Sequence, residues 1–95
     1  MWRVQPCNKY YHPEWIELDG QPVNWIGKHK GFGDRAWFIS QVKYGKWICD
    51  RNERNCFLVY ATEFEGRKPL TILIKIRKYA THVLIYHAHV LRKKR

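Results

Sequence analysis

Apolar residues recur at every second position through the last third of the chain, RKPLTILIKIRKYATHVLIYHAHVLRKKR. Side chains alternate across a β-strand, so this pattern reads as a strand, a turn at Tyr79–Thr81 and a second strand. On the first strand Leu70, Ile72, Ile74 and Ile76 share one face, and Thr71, Leu73, Lys75 and Arg77 share the other. On the second, Leu84, Tyr86, Ala88 and Val90 form an apolar face, with Val83, Ile85, His87, His89 and Leu91 opposite. Joining the two apolar faces gathers Lys75, Arg77, His87 and His89 on the far side.

Pairing Ile74 with Tyr86 matches Ile76 to Leu84 and Leu70 to Val90, and every such pair is apolar. That register sets Leu73 opposite His87, Thr71 opposite His89, and Lys75 diagonal to His87. Upstream, CFLVYATEFE is a strand and Glu-Gly-Arg-Lys a hairpin turn. Placing Phe64 opposite Leu70 and Tyr60 opposite Ile74 brings Glu63 beside Thr71, although the slipped pairing buries Phe57 and Val59 equally well. GKWIC is a short strand, followed by the polar loop DRNERN with Arg51 and Arg54.

Before Gly45 the period changes. DRAWFISQVKY, residues 34–44, predicts a helix capped by Asp34 and stopped by Gly45. Residues 1–33 are irregular and aromatic-rich; HPEWIELDGQPVNWIG, with Pro13 at a helix-start position and an Asp19-Gly20 turn, suits a short helix or a hairpin. The expectation is one α+β domain over residues 1–95: an N-terminal helical or irregular segment, a four-stranded antiparallel meander sheet over 45–91, and a basic tail at 92–95. Both sheet faces are expected to be at least partly covered, because residues 56–91 are apolar on both.

Composition adds a partner class. Lys and Arg number 18 against 8 Asp and Glu, a net charge of +10, which favours an anionic partner and most simply nucleic acid, RNA before DNA. No apolar run approaches the ~20 residues of a membrane span, and the N-terminus lacks the apolar core of a signal peptide, so no membrane and a cytoplasmic location are expected. Cys7, Cys49 and Cys56 have irregular spacing and no CxxC, and read as cytosolic thiols, with a Cys49–Cys56 disulfide as the minor alternative. The paired spacing of structural zinc ligands is missing, and neither a metal nor a cofactor is expected.

Cleaving RNA without a metal requires a base for the 2′-hydroxyl proton, an acid for the leaving oxygen and a cation for the charge developing on phosphorus. Histidine suits the first two roles and Lys75 or Arg77 the third. His87 and His89, two residues apart beside Lys75, are the leading candidates. His29 follows, in the glycine-bracketed loop GKHKGFG between Lys28 and Lys30. The blander reading makes His87 and His89 half-exposed sheet residues with water or backbone partners, and the loop a solvated basic segment. Lys28, Lys30, Arg35, Arg51, Arg54 and Arg77 are the candidate phosphate contacts. His12 and His82 read as structural or exposed. The five Trp belong mostly to a core, though one exposed near the basic face would stack a base. P-loop, GxGxxG, GxSxG and paired-carboxylate motifs are absent from the sequence, as is the aromatic motif of RNA-recognition domains.

The order of parts carries a resemblance. A WI-x-KH segment (Trp25, Ile26, Lys28, His29) precedes a helix; Trp47, Asp50 and Arg51 follow, then a hairpin, LIKI with Lys75, and a last strand studded with polar residues. Over about residues 25–91 this resembles the small nucleases of the barnase–EndoU–colicin–RelE superfamily, especially its compact phage and toxin-like members. The resemblance implies a helix followed by an antiparallel sheet, and metal-independent endoribonuclease activity leaving a cyclic phosphate. It implies His29, Lys75 and His87 or His89 as catalytic residues on one concave face, and a protein antitoxin or inhibitor as a candidate partner. The first 24 residues fall outside it, and YHAH stands where compact members often carry Thr or Tyr. Two other classes fit the same residues: a non-catalytic nucleic-acid-binding module, and a protein-interaction or inhibitor protein with its aromatics at an interface.

Overall fold

The computed structural model describes residues 14–28 and 34–91. The fold is α+β, with the elements β1 (Trp15–Leu18), α1 (Gln21–Lys28), α2 (Arg35–Tyr44), β2 (Ile48–Cys49), β3 (Cys56–Glu65), β4 (Lys68–Lys78) and β5 (His82–Leu91). The strands form one sheet in the order β1-β5-β4-β3-β2. It is five-stranded and mixed, which corrects the expected four-stranded antiparallel sheet. The additional strand is WIEL, which lies parallel to β5 with Ile16 opposite Val83 and Leu18 opposite Ile85. Its two aliphatic residues face the core while Trp15 and Glu17 face away, so even this four-residue segment obeys the strand alternation.

Asp19 and Gly20 make the turn that the Asp-Gly pair suggests. Gly20 has φ +73°, and its carbonyl accepts from the amides of Val23 and Asn24 at the start of α1. Pro22 sits in the first turn of α1, where a missing N–H costs nothing; Pro13, the expected helix start, lies outside the described residues. Asp34 caps α2 by accepting from the Trp37 amide at 2.9 Å. Phe38 and Val42, one turn apart on α2, are fully buried. With Trp25 of α1 they pack on the sheet face formed by Phe57, Val59, Ala61, Ile72, Ile74, Ile76, Val83, Ile85 and Ala88. Trp25 meets Phe38 edge-on at 6.3 Å. Both described helices thus contribute to a core on one face of the sheet; on the other face Cys56 and Leu73 are also buried.

The β3–β4 hairpin turns at Gly66 and Arg67, with Gly66 at φ +65° in the first turn position. Its register pairs Val59 with Ile74, Ala61 with Ile72 and Glu63 with Leu70. This is the slipped alternative. It buries Phe57, Val59 and Ala61 and leaves Tyr60 and Phe64 exposed. Glu63 therefore belongs to the core side and does not lie beside Thr71 on the opposite face.

The β4–β5 hairpin differs further. Ile74 faces Ala88 and Ile72 faces Val90, a shift of two residues from the expected pairing, and the register changes between Lys75 and Ile76. Lys75 pairs with His87 but Ile76 pairs with Ile85, so Tyr86 is the extra residue of a β-bulge. The bulge switches the phase of β5. Val83 and Ile85 are buried before it and Ala88 after it, while Leu84, Tyr86, His87 and His89 all turn away from the helices. The expected grouping of Leu84 and Tyr86 with Ala88 and Val90 is thereby corrected.

Gly45 ends α2 by donating its N–H to Gln41 O at 2.8 Å, with an extended backbone at φ −81°. Its role is close approach, since a Cβ there would collide with the Gln41 carbonyl and press on Val59 Cγ1 at 3.1 Å. Gly45→Ala is expected to destabilise the fold by about 1–3 kcal/mol, the scale of overpacking. Urea denaturation checks this, and an unchanged midpoint would contradict it.

Candidate functional site

The sheet face turned away from the core helices carries the candidate chemistry. The strand pairings lay it out in rows. One row runs Leu58, Lys75, His87 across β3, β4 and β5, and the next runs Tyr60, Leu73, His89. On the other side of Lys75 lie Cys56, Arg77, Leu84 and Glu17, contributed by β3, β4, β5 and β1. Because Tyr86 and His87 occupy the bulge together, both project on this face opposite Lys75.

His87 and His89 are both half-buried and hydrogen-bond each other, His87 Nε2 to His89 Nδ1 at 2.7 Å. One ring donates and the other accepts, so the bridge holds a single proton. Their ring centroids are 4.8 Å apart with planes at 70°. Partial burial, then the neighbouring His89 and Lys75, lower the pKa of His87 below its ordinary value. His87 is thereby held neutral near pH 7, the state a general base needs.

Arg77 is fixed from several sides. Its guanidinium lies 5.7 Å from the centroid of the Tyr86 ring and 3.9 Å from Glu53 on the neighbouring loop. Contact with the Cys56 thiol raises its pKa further. Burial and hydrogen bonding with Cys56 push the Tyr86 phenol up to about 12, so it stays a neutral hydroxyl. Cys56 itself is a buried free thiol and Cys49 is disulfide-bonded, so the two are not partners and the reading of all three cysteines as thiols does not hold.

Of the expected catalytic residues, Lys75, His87 and His89 come together, while His29 lies outside the described residues. Among the candidate phosphate contacts, Arg77 adjoins them. Arg51 and Arg54 are exposed on the Asp50–Asn55 loop, which lines a shallow concavity of about 310 Å³. That loop reaches the Arg77 end of the face through Glu53 and through Asn55 O, which accepts from the Lys78 amide at 2.7 Å. Arg35 opens α2 in the helical layer, across the sheet from Lys75. Lys28 ends α1, and Lys30 lies outside the described residues. Tyr86 was assigned to the core by alternation, and only the bulge brings it here. Cys56 was weighed as a disulfide partner, and its contact with Arg77 left no signal in the sequence. Among the described residues no helix is long and apolar enough to cross a membrane.

The lowered pKa of His87 has a consequence for stability. In the unfolded chain His87 protonates near its ordinary value of 6.5, and in the folded chain only at lower pH. Between the two values the unfolded state binds more protons, so stability rises with pH through that window and falls on acidification. The melting temperature is expected to drop from pH 7.5 to pH 5, and the drop is expected to shrink in His87→Gln. Equal pH dependence in the two proteins would refute the assignment.

No protein-family model, curated protein or solved structure matches this chain.

Proposed function

We propose that the open sheet face binds RNA and cleaves it without a metal, with the His87–His89 pair moving the proton and Lys75 countering the charge on phosphorus. The observation that carries this reading is the convergence of Lys75, His87 and His89, cross-strand neighbours with the two imidazoles 2.7 Å apart. The arrangement refines the division of labour. Ring nitrogens in direct hydrogen bond leave no room for a phosphate between them, so the rings do not flank it as independent acid and base. The outer nitrogens, His87 Nδ1 and His89 Nε2, are the ones left for substrate. A proton taken from the 2′-hydroxyl by one outer nitrogen is balanced, through the bridge, by one given to the leaving oxygen from the other. The 2′-oxygen forms its bond to phosphorus, the 5′-oxygen leaves, and the pair ends with the protons it began with. Lys75 and Arg77 bind the non-bridging oxygens. The helix-then-sheet order and the net charge of +10 accord with the resemblance to small toxin-like ribonucleases.

A relay and an independent acid–base pair give different mutant arithmetic. His87→Ala and His89→Ala are each expected to lose about a hundredfold or more in cleavage, and the double variant is expected to lose little further. Independent roles would instead multiply. Lys75→Ala is expected to lose a similar factor, with Lys75→Arg partly tolerated. Cleavage is expected to persist in EDTA and to stop at a 2′-deoxy substitution. Purified protein that binds RNA and leaves it intact would overturn the catalytic reading.

The second reading is a non-catalytic RNA-binding module. It is favoured by the same hydrogen bond, which gives one nitrogen of each imidazole a partner in the other ring and needs no substrate to explain it. In that case affinity falls steeply with salt, and His87→Ala changes it little.

A further inference from the structure

Trp15, His82 and Tyr79 form a stack at the β1 end of the open face. The Trp15 and His82 rings are 4.7 Å apart with planes at 5°, and Tyr79 and His82 are 4.8 Å apart at 15°. β5 runs between β1 and β4, so His82 is sandwiched, with the indole on its β1 side. Glu17 fixes the indole by accepting from Trp15 Nε1 at 2.8 Å, and lies 4.0 Å from His82 Nε2. Trp15 nevertheless remains 45% exposed. An indole oriented by a hydrogen bond and a ring stack, with an accessible surface, differs from the buried Trp25 and needs another account than core packing. Its row adjoins the one holding Glu17, Leu84 and Arg77, so Trp15 and Arg77 are two strands and one row apart, roughly 12 Å backbone to backbone. His87 lies five residues along β5 from His82, about 16 Å at strand rise.

We propose that Trp15 is a stacking platform for one nucleobase of a single-stranded RNA, whose backbone then crosses Arg77 and reaches Lys75 and His87 a few nucleotides on. This rests on the RNA-binding reading of the same face. Stacking needs an unpaired base, so the preference is for single strands over duplex. It adds affinity without a phosphate contact, so it is separable from the charge-driven part of binding.

The test is fluorescence anisotropy of a labelled single-stranded RNA 12-mer and of the same sequence as a duplex, over a salt series, with wild type, Trp15→Ala, Trp15→Phe and Arg77→Ala. Trp15→Ala is expected to weaken single-strand binding roughly tenfold, within the range for losing one base–aromatic stack, with Trp15→Phe retaining most of the affinity. The salt slope is expected to stay at the wild-type value in Trp15→Ala and to become shallower in Arg77→Ala. Wild-type protein is also titrated with 12-mers carrying one abasic position, and one position is expected to reproduce the Trp15→Ala loss, a readout independent of how the variant folds. Wild-type binding that no abasic position weakens, or equal losses for single strand and duplex, overturns the platform and leaves the RNA-binding face standing. No wild-type binding at low salt overturns both.

Discussion

The phase change in β5 is the constraint on which the rest depends. Val83 and Ile85 must be buried against Leu18 and Ile76, and Ala88 and Val90 against Ile74 and Ile72. These two pairs have opposite parity, so no regular strand can bury both. Inserting Tyr86 as a bulge reconciles them. The same insertion places two consecutive side chains, Tyr86 and His87, on the open face opposite one lysine. Core packing and site geometry are therefore solved by one local irregularity. A change that relieved the bulge would exchange buried aliphatics for imidazoles along half of the strand.

Coupling between the imidazoles changes what two histidines in alternation mean. Read as separate residues, they suggest an acid and a base. Bridged at 2.7 Å, they share one hydrogen bond, which needs a donor nitrogen on one ring and an acceptor nitrogen on the other. Partial burial, then the neighbouring His89 and Lys75, disfavour protonation of His87.

The parts legible in the sequence are those where one physical signal acted alone. Asp34 and Gly45 bracketed α2 correctly because capping is local, and the turns at Gly66–Arg67 and Tyr79–Thr81 followed from composition. Lys75, Arg77, His87 and His89 were placed on one face although the register was off by two, because an even shift preserves side-chain parity. Where two signals competed, reading failed. The run VLIYHAHV is apolar in both alternations before Tyr86, so nothing local marks the bulge. In β3, Phe57, Val59 and Ala61 competed with Leu58, Tyr60 and Phe64, and the larger aromatics lost to better packing against Ile72, Ile74 and Ile76. The parallel edge strand WIEL was invisible because its partner lies more than sixty residues away and a four-residue strand carries little periodic signal.

The sheet face turned away from the helices is not simply a polar surface. Leu73 is 8% exposed, and Leu58 and Leu84 are half-buried beside the charged rows. His87 is half-buried in this setting, and that burial is the largest cause of its lowered pKa. A charge in such surroundings interacts more strongly with an incoming anion than it would on a fully solvated strand. The mixture of leucines with cations therefore works in one direction. It disfavours protonation of His87, an effect that a fully solvated basic surface would not have.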